Sequence, residues 1–581
     1  MQSNGLIYEI FPRMLQETGK GHRYLANDGA EIKVSYSCAY QSASKLAAAL
    51  SAHGLGKGDR LGIVLSAPQA FTTTFLACMM AGIVAVPLAP PSLHQDAHAY
   101  GAALVAALNV AQIRTVVAQS AVCAMLHDVL PGLGAQHRCI AFEQLETMAS
   151  GELSPIVPAL DDCCYIQFTS GSTGAPKGAV ITYRNLCANL WAIMRHGLDI
   201  RDDDVSVSWL PLYHDMGLVG KFLAPLAFSV EMVYLPTLAF VKKPASWITA
   251  LSRYRASISF APNFAYLLAA KRPPENTGDL DLSCIRALGC GAEPINPEVI
   301  RRFVEAFAPY GLNPNALMPC YGMAEATLAV TFDSLCRPPT IIDVDRELAE
   351  SARQVAPPGP GARALSLVSC GKTLPGVEIS IRDDAGNLLS SNQIGEIWVK
   401  SPGVTSGYVN NVLDTAAAIR GGWLKTGDLG FLSENELFVT GRVKDSIIIN
   451  GKNFSAMDFE WQVESLPEVR SGHVVAFSVP TDATEGVVVV AETNRGADVQ
   501  HLAERIRGVI YDALSQPVND IVLVRHGTLP KTTSGKIRRA QTRRDYLDGR
   551  IVPLSGWQAG SLAHSASRGA HDESTGTGGR A

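Results

Sequence analysis

From Tyr165 to Val180 the chain reads YIQFTSGSTGAPKGAV. An apolar run ends at Phe168, and then come Thr169, Ser170, Gly171, Ser172, Thr173, Gly174 and Lys177. Glycines let a backbone turn tightly and aim successive N–H groups at one point, while hydroxyls and a lysine add further donors. That combination suits phosphate oxygens. The register G-x-x-x-x-G-K-[ST] does not fit, so this is not a P-loop. A plain Gly/Ser turn is the alternative reading, and the density of hydroxyls argues against it.

Such a loop needs elements to hold it, and the chain is long enough to supply them. It has 581 residues and a mass of 61.9 kDa, which by length alone suggests about four structural units. Hydrophobic residues make up 47% and charged residues 18%, a balance that favours large buried cores over disorder. Lys plus Arg is 49 and Asp plus Glu is 54, for a net charge of −5. No basic excess points to nucleic acid as a partner. The first fifteen residues lack a basic region followed by an apolar run, so no secretory signal is expected. Leu61 to Leu93 carries no charge, but Pro68, Gly82 and Pro87 divide it. We therefore expect a strand Leu61–Leu65, a buried helix Gln69–Ala81 and a strand Ile83–Pro87 instead of a membrane span. Twelve cysteines without C-x-x-C spacing suggest free thiols in a reducing cytoplasm.

Three textures follow one another. Up to about residue 440, apolar strand-like runs (Val205–Leu210, Ser257–Phe260, Ile285–Gly289) alternate with amphipathic helices such as Pro297–Phe307, the pattern of parallel sheets covered by helices. From Pro375, Val377–Arg382 and Gly395–Lys400 suggest antiparallel strands, the first ending in the turn Asp383–Gly386. From about Lys444, strands Ser446–Ile449, Gly472–Val479 and Gly486–Glu492 surround a helix Val499–Leu514, with Leu502, Ile506, Ile510 and Leu514 on one face. Residues 344 to 366, around APPGPGARA, read as irregular, and 551 to 581 as a flexible tail.

Further motifs occur in a recognisable order. WLPLYHDMG (Trp209–Gly217), GCGAEP (Gly289–Pro294), YGMAEAT (Tyr321–Thr327), WLKTGDLG (Trp423–Gly430), GRVKD (Gly441–Asp445) and LPKTTSGKIR (Leu529–Arg538) follow the Gly/Ser/Thr loop. Together they resemble the acyl-adenylate-forming superfamily of acyl-CoA synthetases, nonribosomal adenylation domains and luciferases. The resemblance implies an α/β fold. A large N-terminal adenylating domain, 1–440, would hold two helix-covered sheets and a small β subdomain. A small mobile α+β domain, 441–550, would follow a hinge at Lys444.

The resemblance also implies roles. Thr169 to Thr173, with Gly174, would hold the phosphates of ATP, and Lys177 would touch phosphate transiently. Gly291, Ala292 and Glu293 would form the adenine turn, with Tyr321, Gly322 and Met323 beside the base. Asp428 would accept from the ribose hydroxyls, with support from Arg442. Glu325 would hold Mg²⁺, as suits a carboxylate working with phosphate oxygens. Lys536 would place its ammonium between the substrate carboxylate and the α-phosphate. With Thr169 and Glu325 it forms the expected catalytic set. His214, Asn263 and Phe264 would border the acyl group. The residue types alone admit plainer roles. Lys536 is also a fit for a solvated base, Glu325 for a helix-start carboxylate, Asp428 for a turn residue and Tyr321 for a core aromatic. For His214, Lys177 and Phe264 the structural reading is as good as the functional one.

Finer features resemble the fatty acyl-AMP ligases: WLPLYHDMGLVG, APNFAYLLA at Ala261–Ala269, YGMAEATLAV, and a stretch at about 344–366 before Ser369-Cys370-Gly371. In that family such an insertion is implied to pack on the large domain and hinder rotation of the small one. Such enzymes make acyl-AMP from a fatty acid and ATP. They then pass the acyl group to the phosphopantetheine of an acyl carrier protein, free or borne on a synthase. An acyl-CoA or aryl-CoA ligase is the alternative. Two departures stand out: Ser455-Ala456 where the superfamily often has Tyr-Pro, and Ala261 where the family has Ser. Asp333-Ser334-Leu335 matches the core of a carrier attachment site but sits inside the catalytic domain, and we read it as coincidence.

Overall fold

The computed structural model describes residues 3–26, 28–91, 96–129, 137–169, 176–335, 337–449, 452–480, 485–494, 496–531 and 536–554. The expected tail therefore lies largely outside the described residues, as do Ser170, Gly171, Ser172, Thr173 and Gly174.

Two large sheets dominate the first part of the chain. One has six strands in the order Arg138–Ala141, Thr115–Ala118, Arg60–Val64, Val84–Pro87, Cys163–Thr169 and Lys177–Thr182. All neighbours are parallel except the last pair. The uncharged stretch Leu61 to Leu93 becomes strand, helix and strand, with the helix Pro68–Ala81 almost wholly buried. Pro68 occupies its first turn and Gly82 ends it in the left-handed region at φ 69°, a stop that suits glycine. Among the described residues no helix is long and apolar enough to cross a membrane.

The second sheet has nine strands, in the order Lys372–Thr373, Ala329–Phe332, Leu317–Gly322, Ala287–Gly291, Ile258–Pro262, Val205–Ser208, Glu231–Tyr234, Gly21–Leu25 and Glu31–Ser35. Its centre is parallel. Consecutive parallel strands need crossovers, and these are the helices that cover the sheet. The helix Pro297–Phe307 forms where expected and buries Val299, Ile300, Phe303 and Phe307. The buried Asp204 receives two hydrogen bonds from the Arg286 guanidinium, which ties the entry of Val205–Ser208 to that of Ala287–Gly291 across the intervening strand Ile258–Pro262.

A third sheet pairs Glu378–Arg382, Gly395–Lys400, Trp423–Ser433 and Ile419–Arg420, with Glu436–Arg442 added to Trp423–Ser433. All its pairings are antiparallel. The stretch 344–366, read as irregular, is so only over 353–363. It begins in the strand Ile341–Asp345, turns into the helix Arg346–Ala352 and returns as the strand Ala364–Val368, paired antiparallel with the first. Its proline- and glycine-rich middle concealed the alternation on either side. Val344 and Ala349 bury against Ile394, Phe431 and Phe438.

The last unit has its own core, from Ile447 through Leu523. The strands Val469–Pro480, Glu485–Thr493 and Asp520–Val524 form one sheet, against which Val499–Leu514 turns Leu502, Ile506, Ile510 and Leu514 inward. Ser455, at a departure from the superfamily pattern, caps the helix Ala456–Glu464 and shares a capping box with Asp458.

One glycine fixes a turn that matters below. A Cβ on Gly322 would stand 1.8 Å from the Leu328 carbonyl oxygen, which accepts the Met323 N–H at 2.8 Å. Gly322→Ala is expected to destabilise the protein by about 1–3 kcal/mol, the usual cost of overpacking. The check is a lowered thermal unfolding midpoint. Gly359→Ala, whose Cβ meets nothing within 4 Å, should leave the midpoint unchanged.

Candidate active site

The carboxyl ends of the parallel strands carry most of the residues singled out by sequence. They surround one cavity of about 2250 Å³, whose lining includes Thr169, Asn263, Phe264, Ala292, Glu293, Tyr321, Gly322, Asp428, Arg442, Lys444 and Lys536. Strand ends are where parallel sheets gather ligand groups. Glu325, Lys177, His214, Gly291 and Met323 are not among its described lining residues.

Lys536 comes from the C-terminal unit and crosses to the nine-stranded sheet. Its Nζ donates to the Ala292 carbonyl at 2.5 Å, just beyond the strand Ala287–Gly291. Ala292 itself sits at φ 68°. Gly291 must be glycine: a Cβ there would lie 2.7 Å from Cys320 Sγ and 2.8 Å from its carbonyl oxygen. Burial pushes the Lys536 ammonium below the usual lysine range. Glu293 pulls it back up, Arg442 opposes it, and Asp215 and Asp428 add to the pull of Glu293. Glu293 also holds the helix Asn263–Lys271, since its Oε1 accepts the Phe264 N–H at 2.7 Å. Burial raises its own pKa. Asn263 likewise acts on backbone, accepting the Asn296 N–H at 3.3 Å.

Asp428 and Arg442 face each other on paired strands. Arg442 Nε lies 2.7 Å from Asp428 Oδ1, and the buried Tyr321 hydroxyl donates to Oδ2 at 2.8 Å. The carboxylate is thereby fixed, with lone pairs left for other donors. Glu325 stands on the short turn Ala324–Ala326, where the Tyr408 hydroxyl donates to its Oε1 at 2.9 Å. Burial raises its pKa, and the neighbouring Asp215 adds to the rise.

Thr169 ends its strand opposite Lys177, and its hydroxyl approaches the Lys177 carbonyl at 3.5 Å. The Lys177 ammonium pairs with Asp414 at 3.0 Å and stands 5.6 Å over the Tyr408 ring. His214 Nδ1 lies 2.6 Å from Asp215 Oδ1. Burial acts to raise Asp215, but His214 and Lys536 outweigh it and hold the carboxyl below its usual range. Asp215, Tyr408 and Asp414 were missed by sequence. Asp215 lay inside a quoted motif, next to the histidine that drew attention instead. Phe264 lines the cavity beside Trp209, which stacks on Phe240 at 3.8 Å. Lys444 lies in the turn Val443–Asp445 between the third sheet and the last unit.

Residues 15–409 match the AMP-binding enzyme family. The chain belongs to that family. Among its relatives, a putative acyl-CoA synthetase of Caulobacter vibrioides is 36% identical over 87% of this chain and 88% of that protein. The medium-chain-fatty-acid–[acyl-carrier-protein] ligase JamA of Moorena producens is 31% identical over 94% of each chain. A solved structure from work on fatty acyl-adenylate ligases of E. coli and L. pneumophila superimposes with a TM-score of 0.87. It has 33% identity and covers 94% of this chain and 98% of that one.

In this AMP-binding enzyme the charges around Lys536 generate a pH prediction. A lysine whose pKa is lowered loses its charge at a lower pH than a free one, and Glu293 delays that loss. Glu293→Gln is expected to move the alkaline limb of ATP–pyrophosphate exchange to lower pH, while the amide oxygen keeps the Phe264 hydrogen bond. An unmoved limb in the kcat profile would show that Glu293 does not tune Lys536.

Proposed function

We propose that the chain activates a fatty acid with ATP to acyl-AMP, releasing pyrophosphate, and hands the acyl group to the phosphopantetheine of an acyl carrier protein. The observation that carries this reading is the division of the cavity. Among its described lining residues, every one from Tyr24 to Leu268 is uncharged, and the charged ones run from Lys271 onward. The uncharged lining is carried largely by the ends of the strands Gly21–Leu25, Val205–Ser208 and Glu231–Tyr234 and the turns after them, and the charged lining largely by the last unit. An apolar arm and a charged one thus suit an acid with a long apolar tail and a nucleotide. The relatives named for fatty acyl ligation support it.

A carboxylate and a triphosphate repel each other, so the site must supply charge where they meet. Lys536 reaches the strand end from which both arms open and serves there as the cation. Thr169 and the loop that follows bind the β- and γ-phosphates. Asp428, held by Arg442 and Tyr321, accepts from the ribose. Ala292, Glu293, Gly322 and Met323 border the base. The donor chemistry of Glu325 fits Mg²⁺, which with phosphate oxygens neutralises charge on the leaving pyrophosphate. No general base is needed, because the acid is already ionised, so His214 keeps Asp215 in place.

The stretch 344–366 touches the last unit as well as the third sheet. Lys452 pairs with Glu347 at 2.5 Å, Asn453 donates to the Glu350 carbonyl at 3.2 Å, and Arg363 donates to Ser515. Rotation of the small unit about Lys444 must break these contacts, which supports a carrier protein over CoA as acceptor. The division of the chain near 440 and 550 belongs to the same proposal. So does a cytoplasmic location, where the described cysteines, all free, stay reduced. The second reading, an acyl-CoA ligase, is favoured by the Caulobacter relative.

Incubation with fatty acid, ATP and Mg²⁺, followed by CoA or a holo carrier protein, separates the two. Acyl carrier formation with little acyl-CoA is expected, and efficient acyl-CoA formation would favour the second. Lys536→Ala is expected to slow adenylation by about two to three orders of magnitude with little loss of ATP affinity, since its charge matters most in the transition state. Equal losses in both would contradict that role.

A further inference from the structure

We infer that Asp414 is a positioning residue for adenylation: it holds the Lys177 ammonium aside and competes with the phosphate oxygens for it, which makes Lys177 a movable cation. This rests on the acyl-adenylate reading and adds a part to it. Lys177 opposes Thr169 across paired strands. Thr169 and Pro176, the residue before the lysine, line the cavity, whereas Lys177 itself is not among the described lining residues. Its ammonium instead lies 3.0 Å from Asp414 Oδ2 and 5.6 Å over the Tyr408 ring. The strand end borders the cavity while the charge it carries is turned aside.

The place where the charge rests is rigid. The Asn411 side chain accepts the Asp414 N–H at 3.0 Å, and its amide donates to Asp414 Oδ2 at 2.7 Å. One oxygen thus receives both the amide and the ammonium. Lys177 holds the Asp414 carboxyl below its usual range, and Asn411 adds to that. Tyr408 is tied down on both sides. Its N–H donates to the Thr415 hydroxyl at 2.9 Å, and it bridges to Ala179 on the strand that carries Lys177. The Val409 N–H donates to the Gly178 carbonyl at 2.8 Å, and the Val180 N–H to the Gly407 carbonyl at 2.9 Å. The segment 407–415 is therefore strapped along Lys177–Thr182. The Tyr408 hydroxyl also donates to Glu325. One residue thus touches both the carboxylate proposed for the metal and the lysine proposed for the phosphates.

A rigid acceptor and a flexible donor allow an exchange of partners. The lysine stem has four carbons and can be re-aimed without moving its strand. The two side chains are 20% and 38% exposed, and exposed pairs of this kind are weak. A polyphosphate carries more charge than one carboxylate and so draws the ammonium away. When pyrophosphate leaves, the ammonium it gives up is not stranded, because Asp414 receives it. Asp414 therefore weakens the hold of the site on ATP and on pyrophosphate by the strength of the pair it forms with Lys177.

The test uses the full chain in ATP–pyrophosphate exchange with a saturating fatty acid. Asp414→Asn keeps an oxygen for Asn411 and loses the charge. It is expected to lower the KM for pyrophosphate about three- to fivefold while kcat stays within about twofold, the change that an exposed pair can supply. Asp414→Glu is expected to keep the wild-type KM. Lys177→Met is expected to raise the KM, and Asp414→Asn added to Lys177→Met is expected to change nothing further. A merely destabilising substitution lowers the amount of active enzyme and leaves KM where it was. An unchanged KM in Asp414→Asn, or an equal fall with and without Lys177, overturns the inference while the acyl-adenylate reading stands. A wild-type chain that shows exchange with no fatty acid overturns both.

Discussion

The structure turns on one charge that must be carried from the C-terminal unit to a strand end of the large sheet and remain a charge there. Burying an ammonium is costly unless partners compensate. Glu293, Asp215 and Asp428 do so for Lys536, against the opposition of Arg442. Each partner is in turn held by something rigid. Glu293 accepts a helix-start N–H, Asp215 accepts from His214 and the Met216 N–H, and Asp428 is fixed between Tyr321 and Arg442. All three acids belong to the large unit and only Lys536 comes from the last one, so neither unit alone assembles the set. Docking of the C-terminal unit and completion of the site are the same event.

That constraint also explains the division of the cavity. Compensation works only where water is excluded, because bulk water screens the attraction that a buried pair keeps. An apolar arm beside the lysine lowers the local dielectric, and an acyl chain filling it lowers it further. The side of the cavity that recognises hydrocarbon thus strengthens the side that handles charge. It does so through residues such as Trp209, whose ring stacks on Phe240 and meets Phe264 edge-on.

Much of this was legible in the residues. The helices Pro297–Phe307 and Val499–Leu514 lie where apolar periodicity put them, because each buries a continuous stripe. The uncharged run after Leu61 resolved into strand, helix and strand because Pro68 and Gly82 punctuate it. The stretch 344–366 did not. Its prolines and glycines sit between the paired strands, and the pairing partner of Ile341–Asp345 lies some twenty residues on, beyond any local pattern. The site shows the same split. Motif residues were visible, but their anchors were not. Tyr408 reaches Glu325 and Asp414 reaches Lys177 across long sequence separations, and no spacing rule announces such pairs. Glu293, read as part of an adenine turn, also caps a helix, a second task visible only once the neighbouring strand end is in place.

The contacts between the stretch 344–366 and the last unit set a limit on how acceptor choice can work. Glu347 and Lys452 form an exposed pair, and such pairs contribute about 0–1 kcal/mol. Arg346 and Asp458, 4.0 Å apart and both largely buried, add more, because burial raises the Asp458 pKa and Arg346 opposes that rise. Even so, the sum is on the order of a few kcal/mol. A brake of that size does not lock the small unit. It lowers the population of the rotated state by about tenfold for every 1.4 kcal/mol. A carrier protein brings its own docking energy to the rotated state, whereas a small soluble thiol brings less. On this reading acceptor selectivity is a ratio of populations. Weakening the brake by one pair shifts that ratio by a graded amount and does not convert one type of enzyme into the other.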